Sequence, residues 1–457
     1  MSFLTAVKKH KNQKIWIIAA VAVVAVALIV TAVILIRNSS LFYKKKDTGA
    51  IVFKMTEAMS DTLKEGEFQK GYMFTRTEKN LMEDRGTSPW LLSWYVLPGT
   101  TRSVPALESS YVDTYNQVLL LDSYILEGKK SKADKLIKAI DSQLTRDDGY
   151  LAEFARISDL VPDRGDVTIF DGCDRNEEPT YLLMEDAPAS LAATSLYLRV
   201  LMDYYDKWGD AALLTRIEEM AEFVFATDTM TGYKAADQLA KPTPIPVSED
   251  MPITPEPDPE EDPGKEKLIS LDGLELSSMD LEALYRASVL FPEYEEKYQE
   301  WVKIVKEGKI SETLPLYAWM YTGNGEYMYY AGSAGTVDLL PSLYTMVQLA
   351  RLGELDNDSY AWVQQQMINS EFLYTAYDLL SGTPASSVEA VEAYPLVMEL
   401  AIIKGDENLF RITHAAIMRQ YATLSTSQAL YMVFRNMEEG RYAVYARENL
   451  LLEIYLR

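Results

Sequence analysis

Between Tyr115 and Leu456 the large apolar residues recur three and four positions apart, in stretches that stop at a turn signal and then resume. In Tyr115–Leu126 this spacing runs up to Gly128. Ser131–Leu144 follows, with Ser131 at the cap position, Ile137, Ile140 and Leu144 on one face, and Asp148-Gly149 as the next turn. That is a helical hairpin. The same form is expected at Ala189–Trp208 with Ala211–Phe225, at Ser278–Leu290 with Glu293–Glu307, and at Leu339–Leu352 with Asp358–Phe372. Two further pairs are expected at Val388–Ile403 with Glu407–Tyr421 and at Thr426–Met437 with Tyr442–Leu456. Strand-like alternation is scarce, so the expected class is all-α, a toroid or solenoid of helical hairpins rather than an α/β sheet.

Ahead of this body lies an unbroken apolar run from Ile15 to Ile36, free of Pro and of charge. About 20 such residues is what a helix needs to cross the hydrocarbon core. The run ends Val33-Ile34-Leu35-Ile36-Arg37 with no small-residue cleavage site, so it reads as a signal anchor rather than a removable signal. Lys8, Lys9, Lys11 and Lys14 precede it, while Arg37 and Lys44–Lys46 follow, which nearly balances the positive-inside count. A short basic tail before a first span usually stays in the cytoplasm. The expected division is therefore a cytoplasmic basic tail at 1–14, a single-pass transmembrane anchor at 15–36, a juxtamembrane linker at 37–49 and an extracytoplasmic helical domain at 50–457. Localisation follows as the cell membrane with the bulk of the chain outside.

Residues 1–46 hold eight of the 44 basic residues and no Asp or Glu, which leaves the remainder at 36 − 68 = −32. Such a charge speaks for solubility and against nucleic acid or anionic lipid as a partner of the body, because phosphates require Lys and Arg. The single cysteine, Cys173, excludes an internal disulfide and a cysteine-based metal cage, and fits a bacterial cell surface. With His10 and His414 the only histidines, a catalytic triad has one candidate base and a multi-histidine metal site has none. Lys241–Lys267, dense in Pro, Asp and Glu, reads as a disordered acidic insertion at 241–267, with a domain linker as the alternative. The acidic group Asp171–Glu178 lacks the oxygen spacing of a calcium loop and reads as solvated.

Carboxylates are what remains for chemistry. Hydrolysis of a glycosidic bond needs two of them, one as acid and one as base or nucleophile, and no cofactor or metal. Three stretches place carboxylates next to helix starts: Leu107–Asn116 with Glu108, Tyr111, Asp113 and Tyr115; Glu185–Ser190 with Asp186 and Ser190; and Ser386–Pro395 with Glu389 and Glu392. Helix capping accounts for the same residue types, and most of the 30 Tyr and 7 Trp serve as packing area.

Taken in order, these stretches resemble glycoside hydrolase family eight, whose members fold as an (α/α)6 toroid. Leu107-Glu108-Ser109-Ser110-Tyr111 is similar to that family's Ser-Glu-Gly-x-x-Tyr-Gly motif, without its glycines and one residue short. Asp148-Gly149-Tyr150-Leu151-Ala152 is similar to its Asp-Gly-Leu-x-Ala stretch. Ala187-Pro188-Ala189-Ser190-Leu191-Ala192-Ala193 is similar to a segment in which an Asp contacts the sugar, with Ser190 at that position. Val388-Glu389-Ala390-Val391-Glu392-Ala393-Tyr394 is similar to the segment that supplies the base, with Glu392 where the family has Arg. The resemblance implies a degenerate member with Glu108 as general acid and Glu389 as base in an inverting mechanism, their carboxylates roughly 6.5–9.5 Å apart. Asp113 is the alternative acid, and Tyr111, Tyr115, Asp186 and Ser190 are the implied substrate contacts. The implied function is a membrane-anchored hydrolase of a β-linked exopolysaccharide. The alternative is an inactive toroid that binds or guides a glycan for a polysaccharide synthase or export machinery. A plain interaction scaffold would instead form an open superhelix without a closed acidic cleft.

Overall fold

The computed structural model describes residues 45–66, 68–81, 89–97, 107–109, 111–160, 187–226, 273–323, 325–329, 335–437 and 440–456. The apolar run at 15–36, the acidic group at 171–178, Asp186 and the insertion at 241–267 lie outside them. No helix among the described residues is long and apolar enough to cross a membrane.

Those residues hold thirteen helices of nine residues or more: α1 (Glu57–Glu65), α2 (Lys70–Leu81), α3 (Thr114–Leu126), α4 (Lys130–Gln143), α5 (Leu191–Trp208), α6 (Leu213–Ala226), α7 (Leu281–Leu290), α8 (Glu295–Glu307), α9 (Leu339–Arg351), α10 (Asn357–Ser370), α11 (Tyr394–Lys404), α12 (Glu407–Arg419) and α13 (Ala446–Tyr455). The odd-numbered helices from α3 onward form a closed inner ring, in which α3 packs on α5, α5 on α7, α7 on α9, α9 on α11, α11 on α13, and α13 back on α3. An open superhelix is excluded by that last contact. The even-numbered helices form the outer layer, with α2 against α13 and α12 against both α11 and α10.

Burial follows this division. Helix α3 is sheltered on every side, its buried residues running from Gln117 through Ile125 without a break, whereas α4 buries only Ala133, Leu136, Ala139 and Ile140. A helix apolar all round belongs inside, and a helix with one apolar stripe belongs against it. Three inner helices are capped by side chains at their starts: Asp113 accepts from the Asn116 amide, Ser190 from Ala193 and Asp280 from Ala283. Gly209 and Gly405, both left-handed, stop α5 and α11.

Four sequence expectations change. The segment 426–437 is not a helix; it is a run of turns with Tyr431 at φ 64°, ending in the short strand β10 at Arg435–Asn436. Tyr442–Tyr445 is likewise a strand, so α13 begins only at Ala446 and takes its outer partner, α2, from the other end of the chain. Helix α11 begins at Tyr394, and Val391–Ala393 is a single 3-10 turn, which leaves Glu389 and Glu392 ahead of the helix. The fold is a helical toroid, but it carries short antiparallel strands that the all-α reading did not contain.

In chain order the other strands are β1 (Trp94–Leu97), β2 (Leu107–Glu108), β3 (Tyr111–Asp113), β4 (Phe154–Arg156), β5 (Leu274–Glu275), β6 (Met320–Gly323), β7 (Glu326–Met328), β8 (Thr336–Asp338) and β9 (Ala376–Asp378), and Tyr442–Tyr445 is β11. Four strands pair in the order β10-β11-β1-β2, with Trp94 opposite Tyr445 and Leu97 opposite Tyr442. Strands β3, β8 and β11 lead directly into α3, α9 and α13, so this sheet layer sits at the end of the toroid where the inner helices start.

Charged side chains link the inner helices to one another. Arg199 of α5 donates to the cap Asp280 at 2.8 Å and lies 3.9 Å from Asp122 of α3. Arg351 of α9 donates to Glu282 of α7 and to Glu399 of α11, and Arg286 of α7 pairs with Asp203 and Asp206 of α5 at 2.6 and 2.8 Å. Glu399 also shares a hydrogen bond with Tyr455 of α13. Three arginines thus face six acids. Burial, unrelieved by enough positive charge, pushes the Asp122 carboxyl up to about 7, whereas its three arginine neighbours hold Glu282 low against its own burial.

Replacing Arg351 by Met strands Glu399 in the interior and takes one of three arginines from Glu282, and a urea unfolding curve should show a loss of about 3–5 kcal/mol. Asp122 gives a second check. Folded Asp122 keeps a proton that the unfolded chain releases near its ordinary value of 3.8, so it contributes stability at low pH that is lost as pH rises toward about 7. In Asp122→Asn the decline in melting temperature over that range should be shallower than in the parent, measured by thermal melts at a series of pH values.

Candidate functional site

Strands β3 and β11 deliver two helix starts to the same place. Ser93 holds them there: its hydroxyl accepts from the Asp113 amide at 3.0 Å, and its carbonyl accepts from the Ala446 amide at 2.9 Å. Between these starts and that of α9 opens a cavity of about 240 Å³. Its carboxylates are Asp113, Glu153, Glu392 and Glu448, its cations are Arg435 and Arg447, and its aromatic walls are Trp94, Tyr111, Tyr344 and Tyr445.

Each cation has a defined place. Arg447, in the first turn of α13, donates to Asp113 at 2.8 Å and to Asn116 at 3.2 Å, and its guanidinium lies 4.7 Å from the centre of the Tyr115 ring. Burial works against its charge, but Asp113 and the surrounding hydroxyls and carboxylate hold it protonated. Arg435 pairs with Glu448 and, at 3.4 Å, with Glu392, while its guanidinium rests 4.3 Å from the Tyr445 ring centre. Glu448 is 2 % exposed, and one of its oxygens has no hydrogen-bond partner. Burial pushes its carboxyl above the ordinary glutamate range; Glu392 adds to this, and Arg435 draws it back only in part. The indole N–H of Trp94 and the Nε of Arg435 also lack partners. Buried polar atoms left open on the lining of a cavity suit a polar ligand.

Of the residues singled out in the sequence, Tyr111 and Asp113 line this cavity. Tyr115 lies just below it, edge-on to Tyr344 with ring centres 6.3 Å apart. Ser190 spends its hydroxyl on capping α5 and is not among the lining residues. Glu389 is held by the Tyr394 hydroxyl and by Arg419 at 3.0 Å and is not among them either; Glu392, three residues on, is. The backbone of Glu108 runs in β2 beside Tyr95, and its side chain lies outside the description, as does all of Asp186. Sequence reasoning passed over Glu153, Tyr344, Arg435, Tyr445, Arg447 and Glu448. The signal for half of them was the alternating Tyr442-Ala-Val-Tyr445 directly before a helix, which is a strand-to-helix junction like that of Tyr111–Asp113.

No family model and no curated protein matches the chain. Solved structures do match. An α-amylase from Clostridium perfringens superposes with a TM-score of 0.61 at 16% identity, covering 85% of this chain and 96% of its own. PssZ from Listeria monocytogenes superposes at 0.50 with 10% identity, covering 89% and 97%. A family eight endo-β-1,4-glucanase from an Achatina fulica gut metagenomic library aligns at 0.48 with 10% identity, covering 84% and 96%. At such identities the likeness is one of fold. The chain is a helical toroid that shares its fold with the Clostridium perfringens and Listeria monocytogenes proteins.

Proposed function

We propose that the chain is a membrane-anchored, extracytoplasmic glycoside hydrolase that cleaves an exopolysaccharide in the cavity between the starts of α3, α9 and α13. The observation that carries this reading is the grouping of carboxylates with different surroundings between aromatic walls. Glu448, whose carboxyl burial pushes upward, suits the proton donor to the leaving oxygen. Asp113 accepts from Arg447 and from a helix amide, and suits the base that takes a proton from water. Trp94, Tyr111 and Tyr344 supply faces and edges for sugar rings. Inversion is the expected outcome if water reaches the anomeric carbon opposite the donor. The charge of −32 outside residues 1–46 favours a neutral polymer over an acidic one. The resemblance points to a β-linked chain, while the name of the Clostridium perfringens neighbour brings α-glucans into the test.

One observation favours a second reading, a toroid that binds and guides a glycan for synthesis or export without cleaving it. Asp113 is tied to Arg447, and both Glu392 and Glu448 are tied to Arg435. Carboxylates so engaged make good contacts for sugar hydroxyls and weaker proton carriers.

Reducing-end release from α- and β-glucan panels separates the two. Asp113→Asn and Glu448→Gln should each lower the rate by about 100-fold or more with the melting temperature checked alongside, while Glu389→Gln leaves it near parent level. Loss of rate in Glu389→Gln or Glu108→Gln instead would return the roles to the pair implied by the resemblance. Oligosaccharide binding by calorimetry with no turnover on any glucan would decide for the guiding protein.

A further inference from the structure

The first described residues form a strap across the end of the toroid opposite the cavity. Lys45 pairs with Asp206 at 3.4 Å, the Lys46 amide donates to the Tyr205 hydroxyl at 2.8 Å, and Thr48 donates to Asp206 and accepts from Arg286 at 3.1 Å. Tyr205 and Asp206 belong to the last turn of α5, and Arg286 to the second half of α7. Further along, Phe53 lies 5.8 Å from the guanidinium of Arg351, the last residue of α9. The strap therefore crosses the finishing ends of three inner helices in succession, and Thr48, 1 % exposed, is locked into the base. The cavity sits at the starting ends of the ring. Helix α5 has 18 residues and so separates the two ends by about 27 Å.

We infer that the strapped end of the toroid faces the lipid bilayer and that the cavity opens away from it. This rests on the reading of Ile15–Ile36 as the anchor. Only residues 37–44 separate that run from Lys45, and eight residues reach about 29 Å even when fully extended. Turning the cavity toward the bilayer would lift the strapped end by a full helix length and consume that reach entirely. Charge acts in the same sense. Lys45 and Lys46 enter the toroid at this end and are drawn to anionic headgroups, whereas the rest of the chain carries a large negative excess that they repel. The glycan that reaches the cavity is then one that has already left the membrane surface, not one lying along it.

The test uses the full-length chain in nanodiscs of phosphatidylcholine and phosphatidylglycerol that carry a headgroup-linked energy acceptor. In a Cys173→Ser background, a donor dye is placed at Asp210→Cys, in the exposed turn after α5, or at Leu424→Cys, 58% exposed beyond the end of α12 on the cavity side. Greater energy transfer from position 210 than from position 424 is the expected result. Equal transfer, or greater transfer from position 424, overturns the orientation while leaving the anchor intact. Failure of the chain to co-float with lipid overturns both, and leaves hydrolysis by the soluble domain as a separate matter.

Discussion

Six helices set in a ring leave a space between them that their apolar side chains do not fill, and here it is bridged by charge. Asp122, Arg199, Glu282, Arg286, Arg351 and Glu399 face one another across the ring, and the hydroxyl of Tyr455 completes the chain of contacts at α13. Buried ion pairs are weak sources of net stability but severe in what they forbid, since a helix rotated or slipped by one turn leaves a charge with no partner. The network therefore specifies the rotation and height of each inner helix. The cavity depends on that setting, because its walls are the first turns of those same helices.

The ring is closed by parts of the chain that are farthest apart in sequence. Strand β1 pairs with β11, α2 packs on α13, and Ser93 joins the start of α3 to the start of α13. Arg435 and Arg447 come from this seam, and so do Trp94, Tyr445 and Glu448. Placing the site at the seam lets one short sheet orient groups from both chain ends with strand precision, while the opposite wall, with Leu340 and Tyr344, is held by the packing of α9.

The hairpins from α3 to α12 were legible because helical spacing is local: the residues that reveal it lie within a turn or two of one another. The sixth pair was not, since α13 finds its outer helix some hundreds of residues earlier and nothing near Tyr442 points to Lys70. Asp113 and Tyr111 could be picked out as polar residues ahead of an apolar helix. Glu392 was visible as a carboxylate beside a helix start and as a departure from a motif, and Arg435 was hidden in a segment whose apolar content read as helical. The buried charges were the least accessible of all. Arg199 or Glu282 within a helix reads as part of a solvated face, and only closure of the ring turns that face inward.

A seam of this kind orders events in the life of the chain. The cavity needs Trp94 and Glu448 together, so it is incomplete until α13 has been made and, if the chain is exported, has crossed. Until then five hairpins stand with an unclosed edge and β1 is paired on one side only, with β2, and the search for that distant partner makes folding slow relative to a bundle with only local contacts. A chain shortened by its last helix would lose more than ten residues' worth of packing: it would lose the ring.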